Sequence, residues 1–323
     1  MRPVRIALVG ALSGVLALSG CAGNPEGAGN AGSTGSTTAQ PSAAGSPQQG
    51  SFPVTVQAGN GPVVVQKRPE RIVSLSPTAT ESLFAVGAGP QVVAVDDQSN
   101  YPEQAPKTTL SGFKPNVEAI VAKKPDLVVL ANDIDGVVGK LGTLGVPVLV
   151  EPAATKLDDA YDQITDLGLA TGNVDKAEEV ATGMRKEIEA LAADAPQGKK
   201  LTYYHELDST PYSATSTTFV GQIYGLFGLT NIADKAPDAA GGYPKLSAEF
   251  VVKADPDLVF LADTKCCGES RETLAKRPGW SGLSAIKKDR VVPLDDDLAS
   301  RWGPRVVDLV KQVGEAVKKT ATS

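Results

Sequence analysis

One segment of this chain occurs twice. Residues 116–131 (NVEAIVAKKPDLVVLA) and 247–262 (SAEFVVKADPDLVFLA) align without a gap at an offset of 131, and eight of their sixteen positions are identical. The identical positions include a Pro-Asp pair and apolar residues of the run after it, a pattern typical of a turn followed by a buried strand. Chance does not readily produce such a match, so the repeat predicts two homologous units in one chain.

Short β-branched runs alternate with short amphipathic segments on both sides of the middle of the chain. Strands are predicted at residues 71–75, 92–95, 127–130, 146–150, 201–204, 258–261 and 291–294, and a β-hairpin at 52–65 around Asn60-Gly61. This alternation is typical of parallel sheets with helices on their faces. The predicted fold class is therefore α/β, with two parallel-sheet α/β lobes joined by a single long helix.

The segment at residues 173–196 predicts that long helix, because its apolar residues recur at steps of three and four. Asn173 is a suitable N-cap and Pro196 ends the run. Periodicity alone fits either a spacer between two lobes or a cover on one domain, and the repeat favours the spacer. A continuous helix of this kind should limit closure of the lobes around a ligand to small rotations.

The N-terminus has the pattern of an export signal. Arg2 and Arg5 precede an apolar run from Ile6 to Leu18, and Leu18-Ser19-Gly20-Cys21 follows. This resembles a bacterial lipoprotein signal, which implies cleavage before Cys21 and a lipid on its thiol; the alternative is an ordinary secretory signal with an incidental cysteine. The predicted division is a signal peptide at 1–20, a flexible tether at 21–51, an N-terminal lobe at 52–172, the connecting helix at 173–196 and a C-terminal lobe at 197–323.

Composition narrows the classes of partner. Without the two signal arginines, 29 of the 31 Lys and Arg residues remain against 37 Asp and Glu, so an acidic, exported chain of this kind is not expected to bind nucleic acid. Besides Cys21 the chain has only the adjacent pair Cys266 and Cys267. In an oxidising compartment this pair forms either a vicinal disulfide or a contact to a ligand or metal.

Enzymatic signatures are sparse. The chain has no GxSxG motif, and its single histidine, His205, does not suffice for a multi-histidine metal site. No metal site and no resident cofactor are therefore predicted. A secreted hydrolase or metal-dependent enzyme that uses His205, Glu206 and the Asp-rich loops is kept as the alternative function.

Binding residues are expected in the loops after the strands, because the binding crevice of such sheets lies at the carboxyl ends of the parallel strands. Several aromatic residues fall in these loops, although aromatic residues make up only 5% of the chain. They would form walls for a flat, bulky ligand. These aromatic residues are Tyr101, Phe113, Tyr212, Tyr243 and Trp302.

The repeat also pairs two acidic residues. Glu118 and Glu249 occupy equivalent positions near the start of a predicted helix that follows Asn116 or Ser247 as its cap. A carboxylate there stabilises the helix by about 0.3 to 1 kcal/mol. Two matched surface carboxylates could also enter basic pockets on a partner with two-fold symmetry, and the two interpretations are compatible.

Three segments together resemble the periplasmic binding proteins of ABC importers for cobalamin and ferric siderophores. They are KRPERIVSLSPTATESLFAVGAG, VVAVDDQSNYP and NVEAIVAKKPDLVV, and the similarity extends from about Phe52 to the C-terminal helix. The resemblance implies a monomer, tethered to the outer face of the cell membrane or in the periplasm, that carries a metal chelate such as a ferric siderophore or a corrinoid to a permease dimer. It also implies that Glu118 and Glu249 dock onto arginines of that permease.

The resemblance further implies ligand contacts at the positions that match the family's motifs, which are Asp97, Tyr101, Tyr212, Tyr243, Asp297 and Arg301. Trp302 is added to these contacts because it is one of the aromatic residues in the loops. The chain departs from the cobalamin binders at Tyr243 and Gly112, where these tend to have tryptophan, and at Cys266-Cys267. Arg301 would favour an anionic chelate and the acidic loops a cationic or hydroxyl-rich one, so both ligand classes remain open.

Overall fold

The computed structural model describes residues 51–196 and 200–322. The predicted signal peptide, Cys21 and the tether up to Gly50 lie outside the described residues. We refer to the described part of residues 52–172 as lobe 1 and to residues 200–322 as lobe 2. None of the helices in the described ranges is long and apolar enough to span a bilayer.

Ten strands lie in the described residues. They are β1 (Val54–Ala58), β2 (Gly61–Val65), β3 (Ile72–Leu75), β4 (Val92–Val95), β5 (Leu127–Leu130), β6 (Val148–Val150), β7 (Thr202–Glu206), β8 (Thr230–Asn231), β9 (Leu258–Leu261) and β10 (Val291–Pro293). The strand β8 has no counterpart among the predicted strands, since two residues are too short for a recognisable pattern.

Twelve α-helices lie in the same residues. They are α1 (Pro77–Ala85), α2 (Val117–Val121), α3 (Val137–Thr143), α4 (Leu157–Thr171), α5 (Val174–Ala193), α6 (Phe219–Gly225), α7 (Ala248–Ala254), α8 (Thr264–Cys267), α9 (Arg271–Ala275), α10 (Ser284–Lys287), α11 (Asp296–Ser300) and α12 (Val306–Thr322).

Each lobe contains one four-stranded parallel sheet. The strand order is β4-β3-β5-β6 in lobe 1 and β10-β9-β7-β8 in lobe 2, while β1 and β2 form the separate antiparallel hairpin. Helices connect successive parallel strands, because such strands cannot be joined by a tight turn. The predicted α/β fold of two parallel-sheet lobes is confirmed.

The sequence repeat has a structural cause at the start of each central strand. Ile72 pairs with Leu127 in lobe 1 and Tyr203 pairs with Leu258 in lobe 2, so the same offset of 131 holds for both strands of each pair. The repeated aspartate accepts a backbone N–H bond from the residue that precedes Ile72 or Tyr203: Asp126 from Arg71 at 2.8 Å, and Asp257 from Thr202 at 2.9 Å. The repeated aspartate therefore makes an equivalent backbone contact at the start of the central strand in both lobes.

The hydrophobic core divides by sheet face. Ile72 and Leu127 of lobe 1 belong to the same buried cluster as Tyr203 and Leu258 of lobe 2. Side chains of the opposite faces form two separate clusters, one for each lobe. Because successive side chains of a strand point to opposite faces, each sheet contributes one face to a shared core and one to its own.

The connecting helix α5 contributes to the shared core through Ala177, Ala181, Met184 and Ile188. It contains 20 residues, so it spans about 30 Å at 1.5 Å per residue. It is shorter than the predicted segment at 173–196 because Asp194 is the C-cap. Helix α12 packs against it, and these four buried residues form one face along its length, while the opposite face is exposed.

Two details at the start of α5 differ from the prediction. Helix α4 was not predicted, and it packs against α5 across the turn at Gly172, which has a left-handed φ of 71°. Asn173 precedes α5 but its side chain does not cap it: the amide donates to Thr171 and Gln91 instead. The Asn173 side chain therefore stabilises the turn between α4 and α5 through these hydrogen bonds, instead of capping α5.

Candidate functional site

The crevice cavity is a space of about 360 Å³ between the carboxyl ends of the lobe 1 strands and the segment around α11 of lobe 2. Its volume lies at the lower end of the range of small-molecule sites. It is lined by Leu75, Ser76, Pro77, Thr78, Asp96, Gln98, Gly112, Phe113, Ala131, Asn132, Asp297, Ser300, Arg301 and Trp302.

The lobe 1 wall is built from strand ends and the start of α1. Ser76 caps α1 by accepting the backbone N–H of Ala79, which places the turn after β3 at the cavity. Asp96 follows β4, is buried, and accepts a bond from Ser99. Burial raises the pKa of Asp96 above its ordinary value, although the Ser99 hydroxyl opposes this change. This wall offers hydroxyl, amide and carboxyl groups.

The lobe 2 wall depends on three consecutive aspartates. Asp295 caps α11, and Asp296 accepts backbone N–H bonds from α8, including that of Cys266 at 2.8 Å. Asp297 accepts bonds from Lys265 at 3.1 Å and Asn100 at 2.9 Å. Burial raises the pKa of Asp297, but these bonds and the charge of Arg301 outweigh it and hold the pKa below its ordinary value. Asp297 is therefore a carboxylate at neutral pH.

Arg301 connects the two walls. Its two terminal nitrogens donate to Glu81 of α1 at 2.7 Å and to Asp297 at 2.7 Å, and also to Asn100 at 2.9 Å and the backbone oxygen of Gln98 at 3.2 Å. Only 9% of Arg301 is exposed. The guanidinium is thus surrounded by acceptors from both lobes.

Arg305 of lobe 2 binds the same carboxylate. Its Nε donates to Glu81 at 2.8 Å, and its guanidinium lies 4.1 Å from the ring centre of Tyr101. We refer to Glu81, Asp297, Arg301 and Arg305 as the inter-lobe cluster. Tyr101 and Arg305 line a second cavity of about 440 Å³, which reaches Met184 of α5.

The predicted contacts fall into three groups. Asp297, Arg301 and Trp302 line the crevice cavity. Tyr101 lines the second cavity, while Asp97 is exposed beside the first.

Tyr212 and Tyr243 form the third group, with 40% and 48% of their surfaces exposed. Their segments are held together by a bridge between Tyr212 and Lys245 and by the Ser213 N–H, which donates to Pro244 at 3.0 Å. Both tyrosines therefore lie on neighbouring segments of lobe 2, outside the cavity lining.

Trp302 ties the lobe 2 wall to lobe 1. Its indole N–H donates to Gln163 of α4 at 2.8 Å, and Gln163 in turn donates to the backbone oxygen of Pro152. Phe113, at the mouth of the cavity, is 73% exposed. One aromatic side chain is thus held in place, and the other is free to meet a ligand.

A family model described as a periplasmic binding protein matches residues 72–298. The chain belongs to the periplasmic binding protein family. It is 31% identical over 278 residues to YvrC of Bacillus subtilis, an uncharacterized ABC transporter substrate-binding lipoprotein, and the match covers 82% of this chain and 86% of that protein. A cobalamin-binding protein of Halobacterium salinarum is 30% identical, with 84% of this chain and 75% of that one covered.

Solved structures agree with this assignment. The periplasmic haem-binding protein RhuT of Roseiflexus sp. RS-1, in its apo form, superposes with a TM-score of 0.68 at 26% identity, covering 78% of this chain and 99% of that one. The predicted membership is confirmed. As periplasmic binding proteins are transport receptors, the enzymatic alternative is not supported.

His205 and Glu206, two of the residues of that alternative, lie in the interior of this periplasmic binding protein. His205 is fully buried and its Nδ1 lies 2.8 Å from the hydroxyl of Tyr224. Burial lowers its pKa to about 4, so the imidazole is neutral at physiological pH. Nothing reaches it from solvent, and a general base needs contact with its substrate.

Glu206 is also buried, in a lobe 2 cluster with Tyr204, Asp263, Glu269 and Arg277. Arg277 binds Glu206 through two bonds of 2.7 Å and lies 3.0 Å from Glu269. Neither carboxyl oxygen of Asp263 has a hydrogen-bond partner among the described residues, and burial, with the charges of Glu206 and Glu269, raises its pKa to about 7. Within the described ranges no group of three or more His, Cys, Asp or Glu side chains is arranged to hold a metal ion.

Cys266 and Cys267 form a disulfide at the end of α8. Both residues are exposed, and the backbone N–H of Cys266 donates to Asp296. The pair therefore stiffens the short helix that packs beside α11, without lining the crevice cavity.

Glu118 and Glu249 lie at the second residue of α2 and α7, after Asn116 and Ser247, whose side chains accept N–H bonds as caps. Both glutamates are exposed, and no hydrogen bond or ion pair of either side chain occurs in the described part of the chain. The structure thus leaves both carboxylates accessible to a partner.

Sequence reasoning missed Glu81, Asn100 and Gln163 as parts of the site. Glu81 carried a usable signal, because a carboxylate stands among Thr80, Ser82 and Leu83 in a helix that is otherwise free of charge. A buried carboxylate requires a cation, and that requirement points to a partner elsewhere in the chain. The partner itself could not be chosen from sequence.

Proposed function

We propose that this protein is the substrate-binding lipoprotein of an ABC importer and that it carries a corrinoid in the crevice between its lobes. Three observations support the ligand class: the charge of the cavity, the polar groups of its walls and the name of one relative. The metal belongs to the chelate, so no resident cofactor is required.

Charge is the observation that carries the proposal. Arg301 is the one cationic residue among the described residues that line the crevice cavity, and it is already bonded to Glu81 and Asp297. Asp297, whose pKa is held below its ordinary value, adds negative charge to the lining. A ferric tris-catecholate siderophore is strongly anionic and would meet carboxylates without a free cation, which is unfavourable in a site of low dielectric.

The polar groups suit a corrinoid. Such a ligand is a flat metal macrocycle with many peripheral amides, which both donate and accept hydrogen bonds. Ser76, Gln98 and Asn132 supply hydroxyl and amide groups of the same kind, and Phe113 and Trp302 supply apolar surface for the ring. The relative from Halobacterium salinarum is named as a cobalamin-binding protein.

Haem is the second candidate, because the exposed phenols of Tyr212 and Tyr243 are a suitable oxygen ligand for ferric iron and one structural relative is named as haem-binding. Its two carboxylates make it anionic, and the crevice charge disfavours it. We therefore rank haem below a corrinoid.

The proposed contacts are Asp97, Tyr101, Tyr212, Tyr243, Asp297, Arg301 and Trp302. Asp297 and Arg301 would act mainly by shaping the crevice, since they bond to each other. Tyr212 and Tyr243 would extend the ligand surface from the lobe 2 side.

A fluorescence titration tests the ligand class. Cyanocobalamin is expected to bind with a Kd below about 10 µM, roughly −7 kcal/mol, while haemin and a ferric tris-catecholate bind more weakly. Free ferric and divalent metal ions serve as controls. Tighter binding of haemin or the siderophore than of cyanocobalamin would remove the corrinoid from the proposal.

Docking to the permease dimer is proposed for Glu118 and Glu249, whose carboxylates are exposed and equivalent by the repeat. Replacing both by arginine should abolish transport without changing ligand affinity. A loss of affinity in the double variant would assign the pair to the binding site instead.

Attachment through Cys21 is proposed from the signal pattern and from the lipoprotein YvrC. The Cys21→Ser variant should leave the membrane fraction when cells are fractionated. We also expect the protein to act as a monomer.

A further inference from the structure

A buried carboxylate of lobe 1 binds two arginines of lobe 2. Glu81 is 3% exposed, and its two oxygens accept bonds from Arg301 at 2.7 Å and from Arg305 at 2.8 Å. Both arginines lie in the segment between α11 and α12. Glu81 therefore forms ion pairs between the two lobes, in which a carboxylate of lobe 1 faces two guanidinium groups of lobe 2.

Arg301 has little capacity left for a ligand. Its terminal nitrogens donate four hydrogen bonds, to the side chains of Glu81, Asn100 and Asp297 and to the backbone oxygen of Gln98. A guanidinium has five N–H groups in all. An anionic ligand would have to displace one of these acceptors, and Glu81 is the one that carries charge from the opposite lobe.

The formal charge of the inter-lobe cluster depends on Glu81. Arg301 and Arg305 contribute two positive charges, and Glu81 and Asp297 two negative ones. The cluster is neutral as it stands, becomes positive if Glu81 is neutral and becomes negative if one arginine is removed. Because charges interact strongly across a partly buried site, one unit of charge is enough to change which ligands are favoured.

We infer that Glu81 determines the charge specificity of the crevice: by binding Arg301 and Arg305 it prevents them from attracting anionic chelates. The inference rests on the proposed function for the identity of the main probe. Glu81 acts through the arginines and is a positioning residue, with no direct contact to ligand required.

Two probes that differ by one charge test this inference. Cyanocobalamin has uncharged peripheral amides, and its monocarboxylate has one of them replaced by a carboxylate. The wild-type protein should bind the monocarboxylate about tenfold more weakly. Glu81→Gln, which keeps the size of the side chain, should reduce that ratio to about twofold or less.

Arg305→Gln provides the opposite change and is easier to accommodate, because Arg305 is more exposed than Arg301. It should increase the ratio, since the cluster becomes negative. Glu187→Gln is the matched control: Glu187 of α5 is exposed near Arg305, and no bond from it to either arginine occurs among the described residues. Its ratio should equal that of the wild type.

Inorganic phosphate gives a readout that does not depend on the ligand class. Glu81→Gln should bind phosphate at millimolar concentration, detected by Trp302 fluorescence, while the wild type and Glu187→Gln should not. If the wild type binds no corrinoid but Glu81→Gln alone gains phosphate binding, the proposed function fails and the inference holds. Unchanged corrinoid ratios in folded Glu81→Gln and Arg305→Gln, or phosphate binding equal in all variants, would overturn it.

Discussion

In both lobes an equivalent aspartate contacts the start of the central strand, but the residues at the carboxyl ends of the strands have different surroundings. Leu75 and Asn132 of lobe 1 line the crevice cavity, and the residues 131 positions later are Glu206 and Asp263 of lobe 2. Both of these are completely buried beside Arg277. Equivalent positions therefore form an open wall in one lobe and a closed charge cluster in the other.

An insertion accounts for this difference. Val128 pairs with Val148 in lobe 1, a separation of 20 residues, and Val259 pairs with Val291 in lobe 2, a separation of 32 residues. The longer connection contains α8, the disulfide, α9 and α10. It covers the strand ends, and lobe 2 instead reaches the crevice through α11 and the segment after it. The repeat thus preserves the strand frame of both lobes, while the length of the connections decides which lobe presents an open wall.

The largest test of the comparison is Arg277→Met. Arg277 is the cation that Glu206 and Glu269 share, and removing it leaves the buried Glu206 carboxylate with the Tyr204 hydroxyl but without a cation. We expect a loss of about 3 to 5 kcal/mol in the free energy of unfolding, measured with urea. Arg71→Met in lobe 1 is the control, because Arg71 bonds to exposed backbone oxygens. Equal losses in the two variants would show that the cluster is not specific to lobe 2.

A second test compares the close packing of α5 against α4 with the exposed face of α5. A Cβ at Gly168 of α4 would lie 2.2 Å from the Cβ of Ala177 in α5, whereas one at Gly183 of α5 meets no atom within 4 Å. Gly168→Ala should therefore destabilise the protein by about 1 to 3 kcal/mol. Gly183→Ala should be neutral or stabilising by up to about 1 kcal/mol, since alanine is the better helix former. Thermal unfolding of both variants separates close packing from helix propensity, and a stable Gly168→Ala would contradict the close contact.

The shared frame predicts equal effects in the two lobes. Asp126 accepts the backbone N–H of Arg71 just before β3, and Asp257 accepts that of Thr202, the equivalent residue at the start of β7. Asp126→Ala and Asp257→Ala should each lower the free energy of unfolding by about 1 to 2 kcal/mol, because each removes a charged hydrogen-bond acceptor. A difference of more than about 1 kcal/mol between them would mean that the repeated aspartates have diverged in role.

Local sequence features were sufficient to predict the main elements of the fold. The repeat, the strand pattern and the Pro-Asp pair are local features, and they were enough for the two parallel sheets and for the exposed, capped positions of Glu118 and Glu249. Helix α4 was missed although its residues have a helical apolar pattern, because a left-handed Gly172 separates it from α5 by only two residues. The inter-lobe cluster could not be predicted, since Glu81 and Arg301 are separated by 220 positions and meet only through the fold.

The pH dependence of stability also distinguishes the two lobes. Burial raises the pKa of Asp263 in lobe 2 to about 7 and that of Glu151 in lobe 1 to about 8. A carboxyl whose pKa is higher in the folded state than in the unfolded state binds more protons when folded. Stability is therefore lost as the pH rises from about 4, the unfolded value, to the folded pKa. His205 has the opposite sign, because its lowered pKa of about 4 makes the fold less stable as the pH falls below about 6.5.

The contribution of each carboxyl is isolated by subtracting the free energy of unfolding of the wild type from that of a variant at each pH. The free energy of unfolding of Asp263→Asn minus that of the wild type should rise by up to about 4 kcal/mol between about pH 4 and 7 and then level off, because each unit of pKa difference corresponds to about 1.4 kcal/mol. For Glu151→Gln the rise should continue to about pH 8, since its folded pKa is higher. The histidine contribution cancels in both differences. If both curves level off at the same pH, the two buried carboxyls have the same environment, and the asymmetry between the closed and open strand ends does not extend to their titration.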